Sequence, residues 1–389
     1  MPGWSRIVTR ILDRIDAGLA SGSLRAVMPD GSTRLLGGRA PGFAVQVRLN
    51  STRALWRLAM GGSVGWYRAW EAGEWESPDP VALFALFMAN GVTLGDNARA
   101  TGPWRLIARL AHALRGNTRA GSRRNIEAHY DLGNDFYAQW LDPTMSYSSA
   151  HFIGDASDLG AGQRRKMADI AAMVAGASSV LEIGCGWGSL AHHLATRGSQ
   201  VTAISLSEAQ LRWARERHAS AGISFEKRDY RDVAGQFDAI VSVEMVEAVG
   251  TRYWPDFFDC IACCLRPEGR AALQFITIAD PLFESYARSA DFIQTYIFPG
   301  GMLVRESEFR KLAAERGLDW QEQRRIGRDY AETLRLWRAN FDVAVEGGGL
   351  PAGFDARFTR LWRYYLMYCE GGFRGGGIDV VQVVLTKRG

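Results

Sequence analysis

The feature of the chain best suited to chemistry is a run of glycines after a short apolar segment. Residues 180–183 lead into Gly184, Gly186 and Gly188. Glycines let a ligand approach the backbone, and a helix that begins after them directs free N–H groups at that ligand. Glu182 precedes the glycines, where its carboxylate can contact a cationic amino group. The pattern predicts a cofactor site at the end of a strand.

Two later segments narrow the choice of cofactor. The second predicted strand ends in Ser205 and Leu206, which offer no acid to hold the ribose of a nicotinamide dinucleotide. The third ends at Asp229 and Tyr230, where the carboxylate can accept from an adenine amino group and the ring can stack. Taken alone, such a pair is more typical of ordinary loop residues. Together with the glycines, it resembles the pattern of S-adenosylmethionine-dependent methyltransferases.

These residues need a scaffold, and the sequence supplies alternating strands and helices from about residue 165. Such βα units predict a doubly wound, mostly parallel sheet, which is the α/β Rossmann-like fold of class I methyltransferases. Aromatic-rich helices over 280–375 interrupt the pattern, and we predict that they cover the carboxyl edge of the sheet. The predicted strands are 179–186, 201–206, 223–229, 237–245, 271–278 and 379–387.

Before this region, two zones of different character divide the chain. Residues 1–95 predict a small α+β domain, with a one-faced helix near the start, a hairpin around 29–32 and a helix over 80–90. Residues 96–126 predict a basic amphipathic linker, and 127–389 the catalytic domain. The linker carries no acid between Asp96 and Glu127, and its arginines are Arg99, Arg105, Arg109, Arg115, Arg119, Arg123 and Arg124.

The linker sequence is typical of a helix that contacts an anionic membrane surface. The alternative is a helix packed on its own domain with a solvated arginine face. No nucleic-acid-binding motif accompanies the patch, so we expect no nucleic-acid partner. The net charge of the whole chain is only +4, so the basic character is local.

Composition excludes several classes of protein. The 389 residues are 47% hydrophobic and 23% charged, as in folded globular proteins. No apolar run reaches the roughly 18 residues of a membrane span, and no secretory leader is recognisable. Five cysteines predict no disulfide framework, which fits a reducing cytoplasm. We expect no metal site, since Cys260, Cys263 and Cys264 fall in an apolar helical stretch.

Several segments together resemble the cyclopropane-fatty-acyl-phospholipid synthase family. The match extends over essentially the whole chain, and residues 20–95 resemble the N-terminal domain of the members that act on phospholipids. The matching segments are 129–137, 141–148, 181–188, 205–210, 296–301, 330–334 and 368–373.

The resemblance implies methyl transfer from S-adenosylmethionine to a cis double bond of a phospholipid acyl chain. The carbocation that results is stabilised by aromatic faces, and aromatic residues concentrate after residue 250. A base then removes a proton from the added methyl group and the cyclopropane closes; the resemblance implies a bound bicarbonate as this base. It further implies a cytoplasmic protein at the inner face of the cytoplasmic membrane, and relatives suggest a homodimer.

Site residues carry over from the family position by position. Glu247 and Tyr330 match residues that hold bicarbonate. Ser149 stands where the family usually has cysteine, a position that acts largely through its backbone, and Ile276 replaces a histidine. Gln274 shares a strand face with Ile276, so its amide is a candidate to supply part of the lost donor. The alternative is a glutamine that is hydrogen-bonded elsewhere. The cofactor positions are Tyr147, Ser148, Glu182, Gly184, Gly186, Gly188, Ser205, Leu206, Gln210, Asp229 and Tyr230.

Three alternatives stay open at this point. Without the family histidine, the cation can lose a different proton and leave a methyl-branched unsaturated chain, a precursor of branched or furan-type fatty acids. The chain can also be a non-catalytic lipid-binding protein that keeps the cofactor fold. The third alternative is a methyltransferase for a soluble small molecule.

Replacing Arg105, Arg109 and Arg115 together by alanine is expected to weaken binding to anionic vesicles. Each basic residue near such a surface contributes about 1 kcal/mol, so the loss is roughly 100-fold at low salt. Vesicle sedimentation measures it, with zwitterionic vesicles as the control. Binding that is insensitive to both salt and the triple replacement would contradict the membrane assignment of the linker.

Overall fold

The computed structural model describes residues 2–95, 132–154, 158–288 and 290–389. The basic segment 96–126 lies outside these ranges, so its membrane contact stays a prediction. The described residues group into two compact units. The first contains the residues up to 95 with 279–299 and 353–378, and the second contains 132–278, 300–352 and 379–389.

The first unit combines a four-stranded sheet, in the order β2-β1-β3-β4, with helices. The predicted hairpin is confirmed, because β1 and β2 pair antiparallel on either side of residues 28–32. Its elements are α1 (Pro2–Gly18), β1 (Ser23–Val27), β2 (Thr33–Gly37), β3 (Ala44–Leu49), α2 (Arg53–Glu71), β4 (Trp75–Glu76), α3 (Pro80–Ala89), α4 (Gly91–Leu94), α10 (Asp280–Ala287), α11 (Phe292–Tyr296) and α14 (Ala356–Arg374).

The first helix follows its predicted stripe with one exception. Val8, Leu12 and Ile15 are buried, whereas Ile7 is 37% exposed. Asp79 caps the start of α3. Its carboxylate accepts a 2.9 Å hydrogen bond from Ala82 N, and the helix begins at the residue that the sequence predicts.

The second unit is built on a seven-stranded sheet in the order β10-β11-β9-β8-β5-β6-β7. Its elements are α5 (Asn134–Ala138), α6 (Leu159–Met173), β5 (Ser179–Ile183), α7 (Ser189–Ala195), β6 (Gln200–Ser205), α8 (Glu208–Arg217), β7 (Ser224–Lys227), β8 (Phe237–Val243), α9 (Trp254–Cys264), β9 (Leu265–Ile278), α12 (Glu306–Glu315), β10 (Leu318–Arg325), α13 (Gly327–Glu346) and β11 (Ile378–Lys387).

Strands β7, β6, β5, β8 and β9 pair in parallel, which confirms the predicted doubly wound α/β sheet. The chain runs outward from β5 to β6 and β7, and then returns to place β8 on the other side of β5. Ligands of open α/β sheets bind at the carboxyl ends of the strands where this order reverses. In this sheet that point lies between β5 and β8.

The segment 280–375 differs from the predicted run of helices. Residues 318–325 form β10, which pairs antiparallel with β11 at the edge of the sheet. An edge strand with one neighbour tolerates polar residues on both faces, and the sequence Leu-Asp-Trp-Gln-Glu-Gln-Arg-Arg lacks the apolar alternation of a half-buried strand. The remaining residues of the segment are largely helical, as expected.

Close packing of α14 on α3 within the first unit depends on two glycines. A Cβ atom added at Gly371 would lie 2.7 Å from the carbonyl oxygen of Val81, and one at Gly375 would lie 2.6 Å from that of Ala85. The family segment 368–373 thus includes a glycine that lets two helices of this unit approach. Backbone oxygens cannot yield as a flexible side chain can.

Gly371→Ala is therefore expected to reduce the free energy of unfolding by about 1–3 kcal/mol. The matched control is Gly61→Ala in α2, where an added Cβ meets no atom within 4 Å; there we expect a gain of about 0.4–1 kcal/mol. Urea unfolding followed by circular dichroism measures both. Equal effects of the two substitutions would contradict the close approach of the helices.

Candidate active site

A cavity opens in the second unit at the carboxyl ends of β5, β6 and β8. It gathers nearly all the residues predicted to bind a cofactor, which come from four separate stretches of sequence. Those that line it are Tyr147, Ser148, Glu182, Gly184, Gly186, Ser205, Leu206, Gln210, Asp229 and Tyr230.

The glycine-rich turn forms the floor of the cavity. Gly184 has a φ of 84°, and a Cβ atom there would lie 2.6 Å from Cγ of Met245, so only glycine suits the position. Gly188 is the predicted residue that does not line the cavity. It begins α7, and an added Cβ would lie 2.8 Å from the Phe225 ring, which gives this glycine a packing role.

Glu182 places a carboxylate against the glycine turn. Its side chain is buried, one oxygen accepts a hydrogen bond from the backbone of Ala191 at the start of α7, and the other has no partner among the described residues. Burial raises the pKa of Glu182 to about 8. A buried carboxylate oxygen without a donor suits the cationic amino group of S-adenosylmethionine, so the residues present fit this cofactor.

The third strand end differs in detail from the prediction. The Asp229 carboxylate accepts hydrogen bonds from Arg231, at 2.8 Å from Nε and 2.6 Å from a terminal nitrogen. The guanidinium also lies over the rings of Tyr230 and Tyr253, at 5.5 and 5.3 Å from their centroids. Arg231 therefore holds the carboxylate and the ring in place. The sequence analysis missed Arg231, although its position next to Tyr230 is a usable signal.

Lys166 is a second side chain of the cavity that sequence reasoning missed. It is 3% exposed on α6, and its Nζ donates a 2.6 Å hydrogen bond to Oγ of Ser148. Burial lowers the pKa of Lys166 to about 8, while the charges of Glu244, Asp142 and Glu182 act in the opposite direction. The sequence does carry a signal, because this is one of only four lysines in a chain rich in arginine.

The residues predicted for catalysis lie beside this cavity and separate into two groups. Ser149 N and Gln274 Nε2 both donate to Oε1 of Glu244, at 2.9 and 2.8 Å, and Tyr330 bonds the same carboxylate. Glu244, which the sequence analysis did not select, lines the cavity at the end of β8. It has a φ of 48°, a left-handed value that is uncommon for a residue with a side chain.

Glu247 forms the second group with the strand residue that replaces the family histidine. Its Oε1 accepts a 2.5 Å hydrogen bond from Ile276 N, and its Oε2 is buried with no partner among the described residues. Burial, followed by the nearby charge of Glu244, raises the pKa of Glu247 to about 8. The backbone of Ile276 thus contributes a donor although its side chain cannot.

Aromatic rings surround Tyr147 on the approach to the cavity. Tyr137, Trp140 and Trp337 lie 5.2–5.6 Å from its ring centroid, and Tyr330 lies 5.9 Å from Trp337. The rings that line the cavity itself belong to Tyr147, Trp187, Tyr230 and Tyr253. Most of these precede residue 250, because the tertiary fold, and not local composition, selects which aromatic residues face the ligand.

Comparison with known proteins identifies the family. Residues 117–383 match the mycolic acid cyclopropane synthetase family. A tuberculostearic acid methyltransferase of Mycobacterium tuberculosis is 37% identical over 98% of this chain and 91% of its own length. The cyclopropane-fatty-acyl-phospholipid synthase of Escherichia coli K12 is 30% identical over 99% and 94%.

Solved structures agree with the sequence relatives. A mycolic acid cyclopropane synthase complexed with S-adenosylhomocysteine superposes with a TM-score of 0.63 at 28% identity, covering 68% of this chain and 98% of that one. The family predicted from the sequence motifs is confirmed. The chain belongs to the mycolic acid cyclopropane synthetase family of S-adenosylmethionine-dependent C-methyltransferases.

Proposed function

We propose that this protein transfers a methyl group from S-adenosylmethionine to the double bond of unsaturated acyl chains in membrane phospholipids. The observation that carries the proposal is one cavity lined by the carboxylates of Glu182 and Glu244, which have different partners. Among the described residues, one oxygen of Glu182 has no partner, and Glu244 accepts hydrogen bonds from Ser149, Gln274 and Tyr330 at the end of β8. Such a site has one carboxylate available to the amino group of the cofactor and a second one fixed by hydrogen bonds nearby.

The cofactor, when bound, supplies an electrophilic methyl group. Glu182 holds its amino group, the glycine turn lets it approach the backbone, and Asp229 with Tyr230 receives the adenine. An alkene is a weak nucleophile, so the protein must align the two reactants and exclude water. The ring of Tyr147 borders the same cavity and offers its face to the positive charge that develops on the acyl chain.

The product follows from which proton the acyl cation loses. Loss from the added methyl group closes a cyclopropane, and loss from the chain leaves a methyl-branched alkene. The second outcome is a specific candidate here because Ile276 replaces a family histidine beside Glu247. The relatives include one named for methyl transfer and one named for cyclopropane synthesis, and both cover nearly the whole chain.

A phospholipid substrate requires access to a membrane surface. In the described ranges, no helix is both long and apolar enough to cross a bilayer. We propose that the protein acts from the cytoplasmic side, at the inner face of the membrane, with the basic segment 96–126 as its contact. The N-terminal residues that resemble the phospholipid-acting members support this substrate class.

Expression in a host that contains monounsaturated phospholipids should convert part of their acyl chains into products one CH₂ heavier. Mass spectrometry detects the gain, and proton NMR of the extracted lipid separates upfield cyclopropyl signals from those of a branched alkene. The purified protein should form S-adenosylhomocysteine only with unsaturated vesicles. Equal turnover without vesicles would favour a soluble substrate, and no turnover with any vesicle would leave a lipid-binding role.

Glu182→Gln is expected to weaken binding of S-adenosylhomocysteine about 10- to 100-fold, since a charge-assisted hydrogen bond is lost. Below pH 8 the Glu182 carboxyl is protonated and must lose its proton to bind the cation. The affinity of the wild type for S-adenosylhomocysteine should therefore rise between pH 6 and 8, by at most about tenfold per pH unit. Above pH 8 the affinity should stay constant.

Isothermal titration calorimetry at several pH values measures both effects. Glu216→Gln, an exposed position on α8, is the matched control and should change neither affinity nor its pH dependence. A Glu182→Gln variant with wild-type affinity and the same pH slope would show that another group receives the amino group of the cofactor.

A further inference from the structure

We propose that the carboxylate of Glu244 is the built-in base of this enzyme and occupies the place that the resemblance assigns to bicarbonate. The inference rests on the proposed function, because it concerns proton removal after methyl transfer to an alkene. It differs from the mechanism that the resemblance implies, because the proton acceptor is a residue of the chain and not a bound ion.

The hydrogen-bond donors carry the inference. Ser149, Gln274 and Tyr330 are residues expected to surround a small planar anion, and all three contact Glu244. A carboxylate and a bicarbonate ion present the same pair of oxygens, so donors arranged for one fit the other. These donors are already bonded to Glu244, and the negative charge of its carboxylate would repel a bicarbonate ion. Bicarbonate therefore does not fit the site.

The orientation of the Gln274 amide is fixed by a hydrogen bond from Gln382. Its Oε1 accepts a 2.9 Å hydrogen bond from Nε2 of Gln382, and both side chains are fully buried. The amide of Gln274 therefore turns its NH₂ group toward Glu244. The backbone adds a further link, since the N–H of Glu244 donates a 2.7 Å hydrogen bond to Gln274 O. The residue expected to compensate for the missing histidine thus donates to a side chain of the protein.

The backbone at Glu244 is a second, independent observation. A φ of 48° is strained for a residue other than glycine and persists where the surroundings hold it. Glycine would adopt this conformation without strain. Glu244 at this position directs its side chain to the three donors. It also lines the cofactor cavity. The electrostatic partner is Lys166, whose charge also acts on Glu244.

The chemical step balances without another reactant. Methyl transfer leaves the acyl chain with a carbocation at the carbon adjacent to the one that bears the new methyl group. Glu244 accepts a proton from a C–H bond near that cation, and the electron pair of the bond forms either the third cyclopropane bond or a new double bond. The carboxylate becomes a neutral acid, and the lipid becomes a neutral product.

The test uses two separate substitutions at position 244 and varies the bicarbonate concentration of the buffer. Glu244→Gln keeps the shape and removes the base, so product formation should fall by at least 100-fold while S-adenosylhomocysteine affinity changes by less than threefold. Glu244→Gly relieves the backbone and opens the anion site, so its residual turnover should rise at least tenfold with added bicarbonate. Wild-type turnover should be unchanged in carbon-dioxide-depleted buffer.

A measurement without turnover separates this inference from the proposed function. In the presence of S-adenosylhomocysteine, ¹³C NMR should detect saturable binding of labelled bicarbonate to Glu244→Gly and none to the wild type. Glu346→Gln, an exposed position on α13, should behave as the wild type throughout.

The inference is overturned if the wild type binds bicarbonate or requires it for turnover, or if Glu244→Gln keeps more than a tenth of the wild-type rate. Failure of the wild type to alkylate any lipid would instead reject the proposed function, and the NMR comparison would still decide whether Glu244 occupies the anion site.

Discussion

Parallel pairing of β5 with both β6 and β8 is the constraint on which the rest of the site depends. The strand order reverses at β5, so the loops after β5 and β8 diverge and leave a space between them. The glycine turn fills one side of this space and the segment around Glu244 fills the other. The positions of Glu182 and Glu244 on the same cavity follow from bringing these two strand ends together.

Burial of charge is the second consequence of that arrangement. Glu182, Glu244 and Lys166 approach one another in a region from which most water is excluded, where an isolated charge is costly. The protein meets this cost with hydrogen bonds from Ser149, Gln274 and Ala191, and with one cation among the carboxylates. The pKa values of Glu182 and Lys166 both move to about 8, so neither group is strongly held in its charged form.

Around the position where the family pattern has a histidine, the chain supplies polar groups of its own. Ile276 provides a backbone N–H to Glu247, and Gln274, two residues earlier, donates its side-chain amide to Glu244. Their contacts show a site in which the chain itself supplies both donors and acceptor.

The sequence by itself determined the family and the doubly wound sheet, and nearly all the residues that it predicted to bind the cofactor line one cavity. These follow from local signals, because a glycine turn, a strand end and a helix start are encoded by neighbouring residues. Only the tertiary structure decided the partners of Gln274, the position of Lys166 and the role open to Glu244. A hydrogen bond between β8 and β9, or between either strand and α13, joins residues 30 or more positions apart.

The same reason explains the smaller errors of the sequence analysis. Gly188 belongs to the glycine motif but packs against Phe225, and β10 lacks an apolar alternation because it lies at a sheet edge. Spacing along the chain specifies which elements form. Which atoms meet in the cavity depends on how the sheet brings the strand ends together. The spacing of residues along the sequence does not specify the distances between those atoms.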